Sequence, residues 1–247
     1  MAEQQRVMVV TAHIADWVTR CGGTIAKYTN AGHRVKVFTL SYGQYAESGF
    51  RWGEDPTRTV DDVIAIRRQE GDEAAAILGV ELTVFGWQDG PLWVTPNNVE
   101  ALRDEIGGYQ PQIILTHPPI DRNHPDHVQT SEAVRAATSY VGMRRHGRYP
   151  VLSRGVALYY MEATYGTAPY TGFRPDIYVD IGDVFEQKMR AVQVMTRTQR
   201  ELFENYGDMA RLRGREATLW ARGTRGRVQY AEGFMQETPW TTDFLPL

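Results

Sequence analysis

The stretch Val9-Val10-Thr11-Ala12-His13-Ile14-Ala15-Asp16-Trp17 ends an apolar run, begun at Val7, in a histidine, and an aspartate follows three residues on. A buried strand that delivers His and Asp to its carboxyl end is a common way to place ligands in an open α/β sheet. Taken alone, the pair equally fits a turn with Asp16 as a helix cap. A second cluster changes the balance. Gln112–Thr116 is another strand-like run, and it leads into His117-Pro118-Pro119-Ile120-Asp121-Arg122-Asn123-His124-Pro125-Asp126-His127. Two such clusters, each at the end of a predicted strand, point to a single crevice fed by both strands.

Around these stretches, strand-like runs alternate with helix-length amphipathic segments, the signature of βαβ units and a parallel sheet. Strands are expected at Arg6–Thr11, Arg34–Leu40, Glu81–Trp87, Gln112–Thr116, Gly155–Tyr160 and Ile177–Ile181. Helices are expected from Asp16 to about Ala31, from about Thr59 to Leu78, from Thr95-Pro96 to about Ile106, and from about Pro125 to Val141. Thr59 with Asp62 reads as a capping signal and Gly79 as a stop. Gly22-Gly23 inside the first helix costs propensity, which predicts close packing there. Glu162–Pro175 is irregular, and from about residue 183 the chain reads as a helical C-terminal extension, Val184–Gln199 and then a charged stretch around Arg211–Arg222. With no internal repeat or linker, residues 1–247 are expected to form one domain: an α/β, Rossmann-like, mostly parallel sheet flanked by helices.

Composition narrows the function classes. At 247 residues, 42% hydrophobic and 23% charged, the chain is long and apolar enough for a sizeable core. A formal net charge of −3 argues against nucleic-acid binding, which needs a basic face. One cysteine, Cys21, excludes an internal disulfide framework and suggests a reducing, cytoplasmic setting. No run approaches the roughly 18 apolar residues of a membrane span, and no secretory signal precedes the first strand. The expected partner is a small-molecule substrate, with self-association into a homo-oligomer left open.

A zinc ion takes nitrogen and oxygen ligands tetrahedrally, and a catalytic site keeps one position free. His13, Asp16 and His127 offer two imidazoles and one carboxylate in that pattern. His124 and Asp126, beside His127, are candidates to orient a ligand, bond the substrate or act as an acid. The loop Ser41-Tyr42-Gly43-Gln44-Tyr45-Ala46-Glu47-Ser48-Gly49-Phe50-Arg51-Trp52 follows the second strand and is rich in functional groups, as loops lining such crevices are. Tyr42, Tyr45, Trp52, Trp87 and Trp93 are candidate pocket walls. Arg51, Arg67 and Arg68 have the fork geometry for a substrate carboxylate, while structural ion pairs explain Arg67 and Arg68 equally well.

His13-x-x-Asp16, Gly22-Gly23-Thr24-Ile25-Ala26 and His124-Pro125-Asp126-His127 resemble the PIG-L (LmbE-like) family of zinc-dependent N-deacetylases. Arg67-Arg68-Gln69-Glu70 with Leu78-Gly79, and Tyr230-Ala231-Glu232-Gly233-Phe234, are similar to its later landmarks. The resemblance spans Val7 to about Phe234 and implies a Rossmann-like sheet with zinc on His13, Asp16 and His127. The family's deacetylases carry Ala-His-Pro-Asp-Asp, whose first aspartate is the base toward the attacking water. Here Ala15 holds that position, so ligand capacity survives while the usual base is absent; such assistance contributes roughly 10²–10⁴-fold. The family's 4-oxalomesaconate hydratase branch is more similar, with Ala-His-Ala-Ala-Asp at the first motif and a Ser-Tyr/Phe-Gly-x-x-x-Glu-Ser loop. That resemblance implies that Glu47 is a catalytic acid/base, with His124 as a second proton-transfer group. It implies hydration of a C=C bond conjugated with a carbonyl; an amidase with Glu47 or Asp126 as substitute base is the alternative. Two departures stand out. Thr164 occupies the place of a branch histidine in a Glu-Pro-His run, and Tyr45 the place of an arginine, which suggests a substrate with fewer or differently placed carboxylates.

Overall fold

The computed structural model describes residues 4–143, 149–150, 152, 155–223 and 226–238. Its centre is β1 (Arg6–Thr11), in which consecutive side chains point to opposite faces. Val7 and Val9 enter one apolar layer, Met8 and Val10 the other, and all four are at most 1% exposed. A strand buried on both faces reads as an uninterrupted apolar run, which is why this one stands out in the sequence.

Beside it on one side lie β2 (Arg34–Thr39) and β3 (Glu81–Val84), and on the other β4 (Ile113–Thr116) and β5 (Ala157–Met161), all parallel. The sheet continues through β7 (Ala231–Gln236) to β6 (Ile177–Asp180), with β7 antiparallel to both neighbours. The order is β3-β2-β1-β4-β5-β7-β6, seven strands among the described residues. The chain builds outward from β1 toward β3, then restarts at β4 in the opposite direction. The gap between the carboxyl ends of β1 and β4 is therefore the topological switch point, where such sheets bind ligands.

Three helices cover one face: α1 (Asp16–Asn30), α3 (Val60–Leu78) and α7 (Phe185–Met195), with Trp17, Ile25, Ala74, Leu78 and Val192 packed over Val7, Val9, Val35 and Val37. On the other face α4 (Pro96–Tyr109) and α5 (Pro125–Tyr140) bring Leu102, Ile106, Val134 and Ala137 against Met8, Val10, Phe38 and Ile114. Two short helices, α2 (Gly49–Glu54) and α6 (Ala168–Thr171), lie within segments expected to be irregular. After α7 comes α8 (Leu202–Trp220), packed on β7 and β6. No described helix is long and apolar enough to cross a membrane.

The capping signals hold in detail. Thr59 and Asp62 form a reciprocal capping box on α3, which stops at Gly79 with φ 70°. Thr95 and Asn98 do the same for α4 ahead of Pro96. Two differences from expectation bear on the sheet. The third strand leaves its ladder after Val84 because Gly86, at φ 71°, turns the chain, although Phe85 and Trp87 still donate to Thr39 and Leu40 carbonyls. The helical C-terminal region does not end as helix: it returns to the sheet as β7, which the sequence pattern did not indicate.

That returning strand settles the meaning of Gly22-Gly23. Helix α1 is kinked at Cys21 (φ −139°, ψ 15°), which frees N–H groups in its middle. Glu232 of β7 accepts from the Gly23 N–H at 2.9 Å and the Thr24 N–H at 2.7 Å, and pairs with Lys188 of α7 at 2.7 Å. A Cβ on Gly23 would fall 2.8 Å from Ile181, so only glycine allows this approach. Glu232 and Lys188 are both buried. Removing one member of a buried pair strands the other's charge, so Glu232→Ala is expected to cost about 3–5 kcal/mol of unfolding free energy. Urea denaturation checks this, and an unchanged midpoint would refute it.

Candidate metal centre and active site

Both histidine clusters arrive at the switch point. Thr11 ends β1, and the next turn carries His13, fully buried, toward the start of α1. Asp16 opens that helix but does not cap it; its carboxylate folds back so that Oδ2 accepts the His13 N–H at 2.9 Å. Across the crevice, the loop after β4 ends in His124, and Pro125 starts α5 so that His127 projects from the first turn.

The three expected ligands meet. Asp16 Oδ2 lies 3.4 Å from His13 Nδ1, and Asp16 Oδ1 lies 3.3 Å from His127 Nε2. Ligands held tetrahedrally at about 2.0–2.1 Å from one ion are about 3.3–3.4 Å apart, so each separation, to its own oxygen of Asp16, is that of a pair of metal ligands. Donor atoms of His13, Glu47, His124 and His127 lie within 4.8 Å of one another. Nδ1 of His13, Nε2 of His127 and Nδ1 of His124 are buried without a hydrogen-bond partner. Orphaned buried nitrogens of this kind call for an explanation, and a cation provides one.

The opposite ring nitrogens are held by carboxylates. His13 Nε2 is 3.2 Å from Asp126 Oδ2, and His127 Nδ1 is 2.9 Å from Asp121 Oδ2. Such bonds fix the tautomer and aim the other nitrogen at a metal. His117 is ligand-like by position, but its Nε2 already accepts the Ala12 N–H at 3.1 Å. It stacks on His127, which in turn stacks on His124.

Electrostatics support the same picture. Burial opposes charge on His13, but the carboxylates of Glu47, Asp126 and Asp16 outweigh it and push its pKa up to about 10. A pocket that draws a proton onto a buried imidazole is short of positive charge, the condition a bound cation relieves. Burial and the neighbouring His127 push His117 down to about 3 and His124 down to about 2, leaving both neutral. Burial works against the Asp121 and Asp126 charges, yet their hydrogen bonds hold both carboxyls well below the usual range.

The loop after β2 brings Glu47 to the same place. Gly43, at φ 72°, packs against His13, where a Cβ would lie 3.2 Å from the His13 Cβ. This close approach sets Glu47 Oε1 at 3.6 Å from His13 Nδ1. Asp89 anchors the loop by accepting the Tyr45 and Ala46 N–H groups. Tyr45 is exposed at the rim and stacks on Trp52, with ring planes 8° apart.

Protein partners engage three of the candidates. Asp126 accepts the Gly90 and Leu92 N–H groups besides facing His13, so it holds His13 instead of presenting a free carboxylate. Arg67, fully buried, donates to Tyr42 O, Glu47 and Glu70 at 3.1, 3.0 and 2.7 Å. It stands behind Glu47 with its guanidinium engaged by protein acceptors. Arg51 is tied to Thr198 and Glu54. Sequence reasoning assigned no role to Asp121, Asp89 or Arg20. Arg20 lies one helical turn from Asp16, 3.4 Å from its Oδ1, and donates to the buried Tyr206 hydroxyl. That i, i+4 spacing was a readable signal. Thr164, in place of a branch histidine, donates through N–H and Oγ1 to Asp121 at 2.9 and 2.8 Å.

Comparison with known proteins agrees with this layout. A 4-oxalmesaconate hydratase of Pseudomonas putida is 31% identical over 98% of this chain and 93% of its own. A 1D-myo-inositol 2-acetamido-2-deoxy-alpha-D-glucopyranoside deacetylase of a Mycobacterium species is 28% identical, over 76% of this chain and 72% of its own. Among solved structures, GalB, the 4-carboxy-2-hydroxymuconate hydratase from Pseudomonas putida KT2440, superposes with a TM-score of 0.89 at 28% identity, over 98% of this chain and all of that one. An N,N'-diacetylchitobiose deacetylase from Pyrococcus horikoshii shares the fold at TM-score 0.76 and 22% identity, over 95% and 84% of the two chains. The PIG-L profile, described as GlcNAc-PI de-N-acetylase, matches residues 8–138, a span that carries both strand-end clusters and the Glu47 loop between them. The chain is a member of the PIG-L family.

Proposed function

We propose that the chain is a zinc-dependent hydratase, a hydro-lyase that adds water to a C=C bond conjugated with a carbonyl in a small unsaturated oxo acid of the 4-oxalomesaconate type. One observation carries the reading. Ala15, buried and without a proton acceptor, stands where the family's deacetylases have their base, while Glu47 Oε1 lies 3.6 Å from His13 Nδ1. Similarity to hydratases over nearly the whole chain supports it.

His13, Asp16 and His127 would hold the metal, which when bound would supply Lewis acidity toward a water or carbonyl oxygen. Hydration then needs one proton taken from water and one delivered to the carbon next to the carbonyl. Glu47 does both: it accepts the proton as the oxygen attacks and returns it to the enolate carbon, so no net proton is gained or lost. Its other oxygen, Oε2, is held by Arg67, which leaves Oε1 turned toward the crevice. His124, neutral and with Nδ1 unpartnered, hydrogen-bonds a substrate oxygen. Asp126 and Asp121 orient the two imidazoles and move no proton. Tyr45 and Trp52 form the rim that meets the substrate.

Purified protein is expected to consume the ultraviolet absorbance of a conjugated oxo-acid substrate. Unchanged absorbance together with acetate release from N-acetyl sugars would replace this reading with a Glu47-dependent amidase. Glu47→Gln is expected to lower kcat by roughly 10²–10⁴-fold with bound metal retained; near-wild-type turnover excludes Glu47 as the acid/base. His127→Ala is expected to lose the metal, and Asp121→Ala to weaken its binding by roughly 10–100-fold. Elemental analysis and chelator competition measure both, and stoichiometric zinc in His127→Ala would exclude the ligand set.

A further inference from the structure

Glu47 is held in place by a buried chain that ends far from the crevice, in the turn between α7 and α8. Arg67 Nη2 donates to Glu47 Oε2 at 3.0 Å, and its Nη1 donates to Glu70 Oε2 at 2.7 Å. The other oxygen of Glu70, Oε1, accepts the Thr198 hydroxyl at 2.6 Å. Arg67, Glu70 and Thr198 are each at most 1% exposed. The Thr198 oxygen in turn accepts Arg51 Nε at 3.2 Å, which commits the hydroxyl proton to Glu70. We infer that Thr198 is a positioning residue for the reaction: through Glu70 and Arg67 it fixes the orientation of the Glu47 carboxylate. This rests on the assignment of Glu47 as acid/base.

The argument is one of satisfied valences. Arg67 sits between two carboxylates, and its place is set by how firmly each is held. Among the described residues the Thr198 hydroxyl is the one hydrogen-bond donor to Glu70 Oε1, with Arg51 Nη2 in a looser ion pair at 3.8 Å. Without the threonine hydroxyl, Glu70 keeps a buried oxygen unpaired, and such a group reorients to find a donor. Arg67 follows Glu70, and Glu47 follows Arg67. A carboxylate displaced by about an ångström from its reacting geometry costs on the order of a hundredfold in rate. The same turn has a second link to α3, Arg197 with Glu73 at 2.8 and 2.7 Å, which lies at the surface and outside the chain. It serves as the control for mere attachment of the turn.

The test is a double-mutant cycle with a structural arm. Thr198→Val is expected to lower kcat by about ten- to a hundredfold with little change in KM. Thr198→Ser, which keeps the hydroxyl, is expected to retain turnover, and so is Arg197→Met. In a Glu47→Gln background, Thr198→Val is expected to have little further effect, because the group it positions is already disabled. Equal losses from Thr198→Val in both backgrounds, or equal losses from the Ser and Val variants, would overturn the inference. The cycle is run on whichever substrate the wild type turns over, oxo acid or amide, so failure of the hydratase reading is scored separately. If Glu47→Gln alone keeps full turnover, the acid/base assignment falls, and the positioning role falls with it. A crystal structure of Thr198→Val reads the geometry without turnover: Glu47 displaced from His13 supports the chain, and Glu47, Arg67 and Glu70 all unmoved refutes it.

Discussion

The site depends on how the Asp16 carboxylate is shared. One oxygen takes the His13 backbone N–H and faces the His13 ring, while the other faces His127, on the far side of the sheet's switch point. A buried carboxylate is costly unless its charge is matched, and Arg20 at 3.4 Å supplies part of that match from within α1. The remaining deficit falls where His13, His127 and His124 leave nitrogen atoms unpartnered. The geometry of β1 and β4 and the chemistry of the crevice are thus one problem with a common solution. Strands must end where the carboxylate can reach both imidazoles, and a cation there would balance what they enclose.

Beyond this first ring, the structure spends its buried polar groups on orientation. Asp126 and Asp121 each hold one imidazole, and backbone N–H groups of Gly90, Leu92 and Thr164 hold those carboxylates in turn. Arg67 does for Glu47 what Asp121 does for His127. Each reactive atom is left free because the atom opposite it is occupied. Preorganisation of this kind lets a site act without rearranging its dipoles during the reaction.

Much of this could be read from the chain. β1 and β4 announce themselves because burial on both faces demands apolar runs, β2 through the apolar residues around its Lys36, and the caps at Thr59 and Thr95 are local chemistry. The meeting of His13, Asp16 and His127 was legible because they sit at strand ends and helix starts, where spacing alone aims a side chain. β7 was not legible. Ala231–Gln236 mixes Glu, Gly and Gln with two large apolar residues, and its place in the sheet is set by pairing with β5 and β6, remote in sequence. The roles of Arg67 and Asp126 stayed open for a related reason. Type and position allowed either a group facing substrate or one held by the protein, and partners 25 and 36 residues away engage them. Sequence shows which groups are present near a crevice; long-range contacts decide which remain available.

The placement of β7 also bears on how the chain is made. In the sheet, β6 pairs with β7 alone, and the kink of α1 at Cys21 is held by Glu232 of the same strand. During synthesis β6 therefore waits, with an unpaired edge, while fifty further residues are added between Asp180 and Ala231. Contacts of such long sequence separation form slowly, and an open edge invites pairing with other chains. The first four parallel strands can assemble early, but the fold closes only when this late strand slides between β5 and β6. A nascent chain stalled before Ala231 would already contain both histidine clusters beside an unfinished sheet.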